Sequence, residues 1–98
     1  MSVQHLWAGG VYSKQHTLCQ GLKVEQHAHE HEHMSILASG KVLVRVGETV
    51  RTIVGPCAIT IPANETHEIT ALTDTVWFCI WREDIAEADN LDSQGNVQ

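Results

Sequence analysis

Four of the chain's seven histidines occupy alternate positions in His27-Ala28-His29-Glu30-His31-Glu32-His33. Imidazoles at that density are the donors a divalent transition metal takes, each nitrogen lying about 2.1 Å from the ion. On an extended segment the four share one face, yet at about 3.3 Å per residue His27 and His33 would stand about 20 Å apart. One ion cannot bridge that span. His27 and His29 are close enough to chelate side by side, and His33 joins them only if the chain bends through Glu30-His31-Glu32, which puts His31 at the tip of a turn. The candidate ligands are therefore His27, His29 and His33, with His31 left out. A fourth ligand must come from a distant segment. His67 is the best placed: it follows the turn-like Pro62-Ala63-Asn64-Glu65-Thr66 and opens the alternating His67-Glu68-Ile69-Thr70-Ala71, so that His67 and Ile69 share a face.

The competing reading is a hydrophilic surface loop that holds stray metal weakly. Against it, the run lies mid-chain between apolar segments, and its alternation with glutamate differs from an uninterrupted terminal histidine block. His5 and His16 have no such context and are expected to be ordinary surface or hydrogen-bonded residues. Glu25, Glu30 and Glu32 are expected to be solvated, although one could hydrogen-bond the second ring nitrogen of a ligand histidine. Cys19, Cys57 and Cys79 form no Cys-x-x-Cys pair and sit among apolar or small residues, as reduced, partly buried thiols in a reducing compartment would.

The elements that must position these groups read as strands. A chain of 98 residues supports one core, and with one Phe, one Tyr and three Trp that core must be filled largely by Val, Ile and Leu, which favour strands. Gly9-Gly10, Gly21, Gly40, Gly47 and Gly55-Pro56 punctuate short apolar segments. Lys41 to Val46 alternates with its valines on one face and should form a hairpin through Gly47-Glu48 with Thr49 to Val54. Thr75 to Trp81 reads as a strand buried on both sides, and its pattern leaves open which face points inward. A helical turn is expected around Asp84 to Ala88, followed by a polar tail. So many short strands must close into a barrel or sandwich. Twelve acidic against six basic residues, a net charge of -6, argue against nucleic-acid backbones and anionic membranes as partners. Without a leader-like start or about 20 consecutive apolar residues, a soluble cytoplasmic protein is expected.

These residues resemble the cupin superfamily, whose first motif runs Gly, five residues, His-x-His, three or four residues, Glu, six residues, Gly. Here Gly21, His27-Ala28-His29, His33 and Gly40 keep every spacing, with His33 in the glutamate position, as in the all-histidine subgroup of small cupins. The second motif is matched more loosely by Gly55, Pro62-Ala63-Asn64, His67 and Ala71, where Asn64 replaces a glycine and Ala71 an asparagine. The resemblance covers about half the chain. It implies an all-β, single-domain, jelly-roll-like barrel: an N-terminal strand segment over 1–20, a barrel core over 21–82 and an acidic tail with a short helical turn over 83–98. It also implies one divalent transition metal per chain and assembly as a homodimer. Four imidazoles suit iron or manganese, which are favoured, and also nickel, copper, cobalt or zinc. The expected function is a metal-dependent enzyme acting on a small organic molecule, a dioxygenase or else a lyase or isomerase; the alternative is a non-catalytic metal- or ligand-binding module. With His33 replacing glutamate, the metal's own ligands supply no carboxylate base.

Overall fold

Segments rich in Val, Ile and Thr extend because branched side chains pack well on a pleated surface. The computed structural model describes residues 2–26, 28 and 30–85; His27, His29 and the tail from residue 86 lie outside the described residues. Among these, nine strands form: β1 (Ser2–Ala8), β2 (Val11–Leu18), β3 (Lys23–Gln26), β4 (His33–Ser39), β5 (Lys41–Val46), β6 (Thr49–Val54), β7 (Cys57–Ile61), β8 (His67–Ala71) and β9 (Thr75–Arg82). They build a five-stranded antiparallel sheet, β1-β2-β9-β4-β7, against a four-stranded one, β3-β8-β5-β6. This is the expected all-β, jelly-roll-like barrel, with a helical turn over 83–85. No helix among the described residues is long and apolar enough to cross a membrane.

The hairpin of β5 and β6 forms with Val46 paired to Thr49. The valines of β5 face inward, and Val42 and Val44 are fully buried with Leu37, Ile69, Trp77 and Cys79 in the main apolar cluster. Each such side chain contributes roughly 1.5–3 kcal/mol of transfer free energy. The inward face of β9 is Thr75, Trp77, Cys79 and Trp81, which settles the choice that its sequence left open. At Gly40 the backbone has φ +98° and a Cβ would collide with the Asp74 carbonyl and Thr75, so only glycine lets β4 turn into β5 this close to β9. Asn64 takes the left-handed conformation (φ 62°) in the turn before β8, a geometry asparagine tolerates.

Two expectations need correction. Cys19 is exposed rather than partly buried. His16 is neither a surface residue nor hydrogen-bonded: it is 3% exposed, and neither ring nitrogen has a partner among the described residues. Alternation along β2 buries Tyr12, Lys14, His16 and Leu18 together, so a histidine falls on the core face because of its register and despite its polarity.

Burial, together with the nearby Lys14 and His5 charges, lowers the His16 pKa from 6.5 to about 4. Between those values the unfolded chain binds a proton that the folded chain refuses. Stability from this group is therefore complete above about 6.5 and falls as the pH drops toward 4, by about 3 kcal/mol in total. Urea unfolding of chelator-treated protein at pH 7, 5.5 and 4.5 should show His16→Phe gaining on the wild type as the pH falls, with a parallel profile counting against this account.

Candidate metal centre

β4 begins at His33 because the chain leaves β3 at Gln26 and bends at Glu30 and His31 before it can pair again. The expected bend is present, and His31 lies on it, exposed, while His33 is buried. β8 begins at His67, directly after the turn at Pro62 to Thr66. The pairing of His67 with Val46 on β5 and Gln26 on β3 fixes its register, and alternation then buries His67, Ile69 and Ala71 on one face.

The two buried imidazoles meet inside the barrel, with ring centroids 5.7 Å apart and planes tilted by 53°. An ion about 2.1 Å from a ring nitrogen lies about 3.2 Å from that ring's centroid, so two ligands of one ion have centroids about 4.6–6.5 Å apart. The observed spacing lies in that range. His33 and His67 therefore fit a shared divalent metal in donor type and separation, although 34 positions part them in the sequence (67 − 33). The remaining candidates, His27 and His29, lie outside the described residues, so the structure brings together two of the four predicted ligands.

Two neighbours of His33 were not foreseen from the sequence. Trp81 stacks on the imidazole at a centroid distance of 3.9 Å with the planes 21° apart. Ser35 Oγ lies 3.3 Å from His33 Nε2 and donates to Cys79 Sγ at 3.6 Å. A serine hydroxyl thus stands beside this imidazole, whereas Glu30 and Glu32 are exposed. Strand alternation offered a signal for both: Ser35 is two residues from His33 on β4, and Trp81 lies on the inward face of β9. A cleft of about 550 Å³, lined by His33, Trp81, Val11, Met34, Ile80 and Arg82 among others, opens beside His33 toward the outer side of the five-stranded sheet.

The barrel and its proportions are those of solved cupins. The chain is similar to a cupin 2 domain-containing protein from Halorhodospira halophila (TM-score 0.75, 19% identity, covering 95% of this chain and 70% of that one). An RmlC-like cupin from Shewanella frigidimarina aligns with a TM-score of 0.71 at 20% identity over 84% of this chain and 78% of its own. A conserved protein of unknown function from Streptococcus pyogenes does so with a TM-score of 0.71 at 15% identity, over 81% and 70%. No family model and no curated protein matches the sequence. At these identities the likeness defines a cupin fold and leaves the chemistry to the site.

Because Trp81 supplies both core volume and the face on which His33 rests, Trp81→Ala should cost about 3–5 kcal/mol of unfolding free energy. Trp81→Phe, which keeps an aromatic face, should cost markedly less; equal losses in thermal and urea unfolding would contradict the stacking role.

Proposed function

We propose that this chain is a metal-binding cupin in which His27, His29, His33 and His67 hold one divalent transition metal, with iron or manganese favoured over nickel, copper, cobalt and zinc. The observation that carries the reading is the approach of His33 and His67 at ligand spacing inside the barrel. Such an ion would supply a Lewis-acid centre and a template for an oxygen-bearing organic substrate. The protein's part is to hold and shield. Ser35 lies against the His33 ring, and Trp81 covers one of its faces.

No Asp or Glu is among the buried residues described, which disfavours a carboxylate general base. Oxygen chemistry of the dioxygenase type therefore ranks above lyase or isomerase chemistry. The same absence favours the second reading, a non-catalytic metal- or ligand-binding module, and turnover is what separates the two. We further place the protein in the cytoplasm, acting on a small molecule and on neither nucleic acid nor membrane. Its homodimer is assigned to the outer face of the five-stranded sheet, where exposed Leu6, Val11 and Met34 lie around half-buried Phe78 and Ile80.

Elemental analysis of untagged protein should find close to one metal per chain, lost in His67→Ala and retained in His31→Ala. Occupancy should fall as the pH drops through about 6 to 5, where imidazoles protonate. Metal-free wild type, or equal loss in both variants, would overturn this ligand set. Light scattering should give a dimer mass for the wild type and a monomer mass for Met34→Lys; an unchanged mass would remove that face from the interface.

A further inference from the structure

Along the inward row of β2, Lys14 and His16 occupy alternate positions about 6.6 Å apart. Lys14 is 8% exposed. The groups around it are Tyr12 and His16 on its own strand, His5 across the ladder on β1 and Cys79 across the ladder on β9. None is a carboxylate. Among the described residues every ion pair with an acid lies elsewhere, Lys23 with Glu68 and Arg82 with Asp84. An ammonium withdrawn from water carries a large desolvation cost, and burial accordingly lowers the Lys14 pKa, with the Cys79 thiol across the ladder acting in the opposite direction.

His16 adds a second, independent sign. It is buried with both ring nitrogens unpartnered, and so is the indole N–H of Trp77, which lies directly opposite it on β9. Buried polar groups in folded proteins are nearly always hydrogen-bonded. Here the His16 imidazole and the Trp77 indole N–H stand opposite each other across the ladder without a partner among the described residues, on the same inward face as the buried Lys14.

We propose that Lys14, flanked by His16 and Trp77, binds the carboxylate of a small organic acid inside the barrel. One ammonium and two neutral N–H donors match the single charge and paired oxygens of a carboxylate, whereas a phosphate dianion calls for more than one cation. The inference rests on reading the barrel as a small-ligand site, and it names the ligand's class.

The test is calorimetric titration of wild type and Lys14→Met with sodium benzoate and sodium pyruvate, and with benzamide and pyruvamide as uncharged counterparts, with metal content measured on the same samples. At least one acid should bind the wild type about tenfold or more tightly than its amide, and Lys14→Met should lose that advantage without losing metal. Equal affinity for acid and amide overturns the proposal, as does undiminished binding by Lys14→Met or no binding of either acid at about 10 mM. Should Lys14→Met fail to fold, His16→Phe is read in its place: a reduced acid preference supports the site, and an unchanged one overturns it. Acid binding that depends on His67 but not on Lys14 would leave the metal reading standing and remove this one. Absent metal with Lys14-dependent binding would do the reverse.

Discussion

β9 pairs with β2 on one side and β4 on the other, and the molecule's interior depends on that three-strand ladder. The register sets Trp81 opposite Tyr12, Cys79 opposite Lys14 and Ser35, and Trp77 opposite His16 and Leu37. Because side chains alternate across a sheet, this one register fills the inside of the barrel with both its bulk and its polar groups. A slip of β9 by one residue would place Val76, Phe78 and Ile80 inside and send its thiol and both its indoles to the surface. The ladder is also where the two motif histidines acquire a floor. β4 carries His33, and β9 supplies the indole beneath it.

The interior this produces is unusually polar for so small a domain. Lys14, His16, His33, Ser35, His67 and Thr75 are all buried. Each buried polar group costs free energy unless satisfied, and the apolar cluster of Leu37, Val42, Val44, Ile69 and Trp77 must offset that cost. A chain selected only for stability would replace several of these residues with hydrophobes, as buried ion pairs can be replaced at a gain. Stability has been surrendered at inward positions of β2, β4, β8 and β9, which is where binding or chemistry would be expected.

Much of this was legible in the sequence, and the physical reason is periodicity. Alternating valines announced β5, turn residues bounded β6 and β8, and the two-residue spacing around His67 identified its face. The bend at Glu30 to Glu32 was the condition for His33 to join His27 and His29, since a straight strand could not bring His33 back. What stayed hidden was the inward row of β2. There Tyr12, Lys14, His16 and Leu18 share a face that hydropathy divides into two apolar and two polar residues, so the pattern read as no pattern. The neighbours of His33 were hidden for another reason: contact between Ser35, Trp81 and Cys79 is set by strand order, and β9 lies between β2 and β4 although it comes last in the chain. Local patterns carry no information about which strands become neighbours.

The indole stacked at 3.9 Å on His33 has an optical consequence. Trp81 is buried against a group whose electronic state changes whenever its ring gains a proton or donates its lone pair, and a charge over an aromatic face alters that ring's energy levels. The molecule thus carries a native fluorophore in van der Waals contact with the imidazole, while Trp7 is partly exposed on β1 and Trp77 stands opposite His16 on β2. The emission of Trp81 is a built-in gauge of the state of the His33 ring.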